Sequence, residues 1–272
     1  MQEWKLNESY DFNGRSVRYG IRGAGLPVVM VHGTPWSSFN LRHLIESLSE
    51  GFTVYYYDLI GYGRSDKSAG DVSLGLQNQV LARLLEHWGL ETPAIVGHDF
   101  GGTTVLRTHL INRCDFHRIV LIDPVAISPW GSPFFRHVKA HEAAFAGVPD
   151  YIHEAIVQAY VKTAASKPLP DALWDGIVRP WTGAEGKAAF YRQIAQADSS
   201  YTDEVQPLYA QITRPVLILW GREDTWIPSA SGEALHKLIP GSQLHIIPDA
   251  GHLVIEEQPV RLIQKIRPFL MG

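Results

Sequence analysis

The chain has a single cysteine, Cys114, in 272 residues. No intrachain disulfide can form, and nothing argues for secretion into an oxidising setting; Cys114 reads as a small apolar residue of the interior. Metal-ligand patterns are equally scarce. His137 and His141 stand four residues apart, but no H-E-x-x-H pattern accompanies them, so no metal site is expected. Basic runs are missing too: 24 Lys and Arg stand against 28 Asp and Glu, without a patch to grip a phosphate backbone and without an acidic tail. The longest apolar runs, such as 28–31 and 215–220, are far too short to cross a bilayer. Residues 1–8 lack the basic start and apolar centre of a signal peptide. Gly61-Tyr62-Gly63 lacks the surrounding glycine spacing of a dinucleotide loop. These absences leave a soluble, cytoplasmic protein, a monomer or homodimer, with no cofactor, nucleic acid or membrane partner expected. Its 45% hydrophobic content suits one large domain with a sizeable core.

What the chain does have is alternation. Short β-rich runs at 17–21, 27–31, 53–57, 94–96 and 118–122 alternate with helical patterns at 37–49, 74–88 and 102–112. That rhythm belongs to a mostly parallel, doubly wound α/β sheet covered on both faces. After Asp123-Pro124 it breaks. From 125 to 208, apolar and aromatic residues recur at helical spacing among several prolines, and no run reads as a buried strand. Alternation resumes with strands at 216–220 and 243–247, a helix near 230–238, and a final helix from 253 towards 269. The expected organisation is a core of 1–124 and 209–272 with a helical lid, 125–208, inserted between two core strands. Ligands bind at the carboxyl ends of the strands in such a sheet, which is where the lid would lie.

The chemistry concentrates in four loops that follow strands. Gly97-His98-Asp99-Phe100-Gly101-Gly102 comes directly after Ala94-Ile95-Val96. A G-x-D-x-G at a strand-to-helix turn lifts Asp99 above the sheet, and the helix N-terminus favours its ionised form. A carboxylate so placed has restricted uses. Attack on an ester gives only a reactive anhydride. Attack on a saturated carbon bearing a leaving group gives a stable alkyl ester, which water must then open. Asp249-Ala250-Gly251-His252 presents His252 as the base for that water. Gly221-Arg222-Glu223-Asp224 offers Asp224 to orient the imidazole. Asp123, closing the strand at 118–122, is an alternative acid for the same histidine. In His32-Gly33-Thr34-Pro35, the Thr34 N–H pairs with that of Phe100 as an oxyanion hole, and His32 reads as a loop-shaping hydrogen bonder. Trp36, Trp130 and Phe134 are candidates to line an apolar pocket.

These motifs, and the order Asp99, Asp224, His252, resemble the aspartate-nucleophile α/β-hydrolases, namely epoxide hydrolases and haloalkane dehalogenases. His32-Gly33-Thr34-Pro35 looks like their H-G-x-P motif, and residues 37–42 and 58–67 look dehalogenase-like. The resemblance covers 15–124 and 215–270 and is weaker over the lid. It implies an α/β-hydrolase fold with Asp99 as nucleophile. It also favours Asp224 over Asp123, because the loop of Asp224 follows the strand that supplies the acid in most members. In epoxide hydrolases two lid tyrosines assist the departing oxygen. Tyr191, in Phe190-Tyr191-Arg192, and Tyr160, in Val157-Gln158-Ala159-Tyr160-Val161, are similar in setting. Haloalkane dehalogenases hold halide with side-chain N–H groups at the positions of Phe100 and Thr34, and neither side chain carries one here. The reading is therefore a cofactor-free hydrolase acting on a small hydrophobic epoxide, giving a vicinal diol through an Asp99 ester. Haloalkane dehalogenation and ester or C–C cleavage are the other enzymatic readings. A ligand-binding receptor on the same fold is the non-enzymatic one, and it would have no use for a water-activating histidine.

Overall fold

Eight strands form one sheet in the computed structural model, which describes residues 4–272. In chain order they are β1 (Glu8–Phe12), β2 (Arg15–Arg22), β3 (Leu26–Val31), β4 (Phe52–Tyr57), β5 (Ala94–His98), β6 (Ile119–Ile122), β7 (Val216–Gly221) and β8 (Gln243–Ile247). Across the sheet the order is β1-β2-β4-β3-β5-β6-β7-β8. β2 runs antiparallel to both neighbours, and every pair from β4 to β8 is parallel. β5, β6 and β7 are buried at every residue, which is why they read as unbroken apolar runs rather than alternating ones. β1 is mostly exposed and polar, so it carries no comparable signal.

The register sets the site. Val31 pairs with Gly97, His98 with Ile122, Ile122 with Leu219, and Gly221 with Ile247. Neighbouring parallel strands therefore end level, and the loops bearing Thr34, Asp99, Asp123, Asp224 and His252 leave from one edge. At the centre, Asp99 takes the turn from β5 into helix α1 (Phe100–Leu110) with φ 54° and ψ −121°, a sparsely populated conformation that only a tightly supported turn retains. Gly101 provides that support: a Cβ there would run into the carbonyl oxygen of Val31 on β3.

Some expected elements divide. The pattern at 37–49 begins as a 3-10 turn, Ser38–Leu41, before the helix Arg42–Leu48. The final helix splits into Val254–Glu257 and Pro259–Met271, because a proline is comfortable in a first turn and disruptive in a helix interior. The helix Leu74–Trp88 begins at a Ser73 cap and ends at left-handed Gly89.

Between β6 and β7 the chain forms helices and no strand, among them α2 (Asp150–Lys162) and α3 (Gly183–Ala195). This insertion is tied to the core loops by hydrogen bonds. Trp181 Nε1–H donates to the Pro35 carbonyl at 2.8 Å, and Arg192 to that of Lys67 at 2.9 Å. Among the described residues no helix is long and apolar enough to cross a membrane. The elbow gives a direct stability test: Gly101→Ala should cost about 1–3 kcal/mol through overpacking against β3. It should lower the urea midpoint without changing the slope, and an unchanged midpoint would contradict the packing described.

Candidate active site

At the strand ends, Asp99, His252 and Asp224 form a hydrogen-bonded line in which each is buried. His252 Nδ1 lies 2.8 Å from Asp224 Oδ2, and its Nε2 lies 3.1 Å from Asp99 Oδ2. Carboxylate oxygens accept and cannot donate, so both ring nitrogens carry hydrogen and the resting imidazole is an imidazolium. Burial alone would depress its pKa. The Asp224 and Asp99 carboxylates outweigh burial and hold it well above the ordinary histidine value.

Asp224 owes its orientation to its own loop. Its other oxygen, Oδ1, accepts from the backbone N–H groups of Trp226 and Ile227, both at 2.8 Å, an Asx-type turn that points Oδ2 at the ring. Asp123 is close enough to compete, since one ligand atom from each of Asp123, Asp224 and His252 falls within 4.8 Å. However, Asp123 Oδ1 accepts from the Gly221 N–H at 2.8 Å, and its Oδ2 has no partner among the described residues. Burial, reinforced by the Asp224 charge, pushes the Asp123 carboxyl well above the carboxylate range. Asp224 bonds the imidazole, and Asp123 is the carboxyl whose charged form burial disfavours.

Asp99 Oδ1 faces away from His252 and accepts from the Thr34 N–H at 2.6 Å. The Phe100 N–H stands beside it as the first residue of α1, where a helix has no internal acceptor to offer. His32 is held in the loop: its Nε2 accepts from Leu59 N–H at 2.9 Å. His98 donates to the carbonyl of His252 at 3.1 Å, and burial with the neighbouring His252 pushes its own pKa down to about 3.

Over Asp99 lies a narrow chamber of about 40 Å³ whose lining includes Thr34, Phe100, Trp130, Phe135, Tyr160 and Trp226. Asp99 is the one charged side chain in that lining. Tyr160, near the end of α2, has no hydrogen-bond partner for its hydroxyl among the described residues, and desolvation and the Asp99 charge raise its pKa. It stays a protonated donor. Trp130 packs edge-on to Phe100 with ring centroids 5.5 Å apart.

Other expected residues lie elsewhere. Tyr191 is not brought to the chamber: its hydroxyl is 2.9 Å from His153 Nδ1, whose Nε2–H donates to the Trp181 carbonyl. The position of Tyr191 on α3 turns its ring into the packing between lid helices. Phe134 sits behind Tyr160, with centroids 4.8 Å apart, rather than in the lining. Trp36 lies under Trp226, and its ring is 6.4 Å from that of His252. His137 and His141 meet edge-on and gather no third ligand among the described residues.

Comparison with known proteins places this arrangement. Residues 28–265 match the alpha/beta hydrolase family. The chain belongs to that family. An alpha/beta hydrolase fold protein from Burkholderia ambifaria is 43% identical and superposes with a TM-score of 0.95 over 97% of each chain. A 2-hydroxy-6-oxo-2,4-heptadienoate hydrolase from Pseudomonas putida is 30% identical over 91% of this chain and 90% of its own. A cis-3-alkyl-4-alkyloxetan-2-one decarboxylase from Xanthomonas campestris pv. campestris is 27% identical over 90% of this chain and 88% of its own. The protein is thus a hydrolase of the α/β fold.

Sequence reading of this hydrolase missed two residues at the site. Trp226 stacks on His252 with centroids 5.1 Å apart and on Tyr160 at 4.5 Å; an aromatic residue two places after the loop acid was the available sign. Gln193 was hidden among Phe190, Tyr191 and Ile194 on the buried face of α3, where a lone amide was the clue. The imidazolium pair makes a measurable prediction. Wild-type His252 should hold its proton as pH rises past the ordinary histidine value. Asp99→Asn, which removes one neighbouring charge, should move that loss to lower pH. Asp123→Asn should leave it high. Imidazole ¹⁵N shifts would report each titration, and a large fall in Asp123→Asn would reverse the assignment of the two acids.

Proposed function

We propose that this hydrolase opens small, uncharged, strained oxygen rings, foremost epoxides, through a covalent ester on Asp99. The observation that carries the reading is the division of labour between the two Asp99 oxygens. Oδ1 is held by the Thr34 N–H, while Oδ2 faces His252 and is the oxygen free to attack. In the first step the Oδ2–carbon bond forms and the carbon–oxygen bond of the ring breaks, with its electron pair leaving on oxygen. Tyr160 is the donor for that oxygen. A serine in this place would suit acyl carbon, whereas an aspartate suits alkyl carbon.

The first step also prepares the second. Esterification removes the negative charge of Asp99, one of the two charges that keep His252 protonated. The imidazole therefore becomes a base when a base is first needed, and the proton count closes as the departing oxygen gains a proton and His252 gives one up. Neutral His252, steered by Asp224, then deprotonates water, which adds to the ester carbonyl. Oδ1 takes the negative charge between the Thr34 and Phe100 amides. Collapse releases the alcohol and restores the carboxylate.

Substrate class follows from the chamber. With Asp99 its one charged lining side chain among the described residues, an anionic substrate would find no cationic side chain in the lining to pair with. The related decarboxylase is named for an oxetan-2-one, itself a strained oxygen ring. Halide displacement is the less favoured chemistry, because Phe100 and Thr34 supply no side-chain N–H.

The test is a panel of styrene oxide, 1-bromobutane and a simple ester, scored for diol, halide and acid. Diol release is expected; halide release without ring opening would reverse the ranking, and binding without any turnover would favour a receptor. Asp224→Asn should lower turnover about ten-thousandfold, the scale of losing the orienting acid in a triad. His252→Gln should still be alkylated, so intact mass should show an adduct that peptide mapping places on Asp99. An adduct elsewhere would overturn the mechanism.

A further inference from the structure

Four buried side-chain atoms around the site have no hydrogen-bond partner among the described residues: Trp36 Nε1, His98 Nδ1, Asp123 Oδ2 and Gln193 Nε2. Buried polar atoms are rarely left unpaired, so each of these requires an explanation, and a catalytic role is one. Gln193 is the most informative. It lies on the lid helix α3 and is 2% exposed. Its Oε1 accepts from the Thr34 hydroxyl at 2.6 Å and from the Tyr62 hydroxyl at 3.0 Å. This orientation gives both hydroxyls an acceptor, whereas the reversed amide would leave its carbonyl oxygen without a donor. In that orientation both N–H hydrogens of Nε2 are unused among the described residues. Thr34 lines the chamber, and its backbone N–H grips Asp99. One residue thus separates the idle donor from the reacting carboxylate.

We propose that Gln193 Nε2 donates a hydrogen bond to the oxygen that departs when Asp99 attacks, acting beside Tyr160. The inference rests on the Asp99-ester reading. The amide gives up no proton: as the carbon–oxygen bond breaks, charge collects on oxygen and the N–H stabilises it. Because Gln193 belongs to the inserted helices, the core alone does not carry this donor.

The test times Asp99 adduct formation by intact mass in the His252→Gln background, with styrene oxide and with 1-iodobutane. Iodide leaves with little help, and a ring oxygen needs much. Gln193→Met should slow alkylation by styrene oxide about a hundredfold, the scale of losing one oxyanion donor, and by 1-iodobutane no more than about threefold. Gln193→Glu keeps an oxygen for Thr34 and Tyr62 but lacks the N–H once ionised. It should show the same selective loss, with circular dichroism verifying that both variants fold. Equal slowing of the two electrophiles, or none, overturns the proposal and leaves the role of Asp99 standing. An adduct from 1-iodobutane alone also overturns it, since the donor would have failed the oxygen assigned to it. If styrene oxide alone reacts, both variants must slow it. No adduct from either electrophile with Gln193 intact overturns the ester reading and the proposal together.

Discussion

An imidazolium held between two buried carboxylates is the interaction on which the rest of the site depends. Buried charges are expensive unless paired, and here three are confined to one line: Asp99, His252 and Asp224. The sheet register brings their loops to one edge, and the Asx turn after Asp224 aims one of the two acids. Trp226 covers the ring that joins them. The imidazolium is held by two negative charges only while Asp99 is ionised. Any reaction that neutralises Asp99 alters His252 at once, so in the proposed cycle nucleophile and base are coupled by charge rather than by motion.

Asp123 shows how the same physics selects between neighbours. Two carboxyls this close to one imidazole would repel each other if both were ionised. Asp123, bonded to the Gly221 amide and removed from water, is the acid whose charged form burial disfavours. Asp224 has two backbone donors on one oxygen and the imidazole on the other. Backbone hydrogen bonding thus distinguishes two acids that side-chain identity leaves alike.

The core was legible because parallel strands buried on both faces leave apolar runs that few other structures require, as in Ile119–Ile122. Asp99, Asp224 and His252 were legible because each follows such a run within a few residues. The lid was harder. Its helices announce themselves by spacing, yet spacing does not reveal which face of a helix meets the chamber and which meets another helix. Tyr191 and Gln193 are two residues apart on α3 and face different partners, His153 for one and Thr34 for the other. A resemblance in the lid pointed to the tyrosine; the hydrogen bonds point to the glutamine. Trp226 escaped notice because its role is to stack, and stacking depends on loops distant in sequence.

The central claim is that a carboxylate oxygen of Asp99 becomes the new oxygen of the product. A single turnover of styrene oxide in ¹⁸O-labelled water, with enzyme in excess, tests it most directly. The account predicts label in the Asp99 side chain and an unlabelled diol, because water attacks the ester carbonyl and the product leaves with the original carboxylate oxygen. Label in the diol with none in Asp99 would mean that water strikes the substrate itself, and would contradict the account.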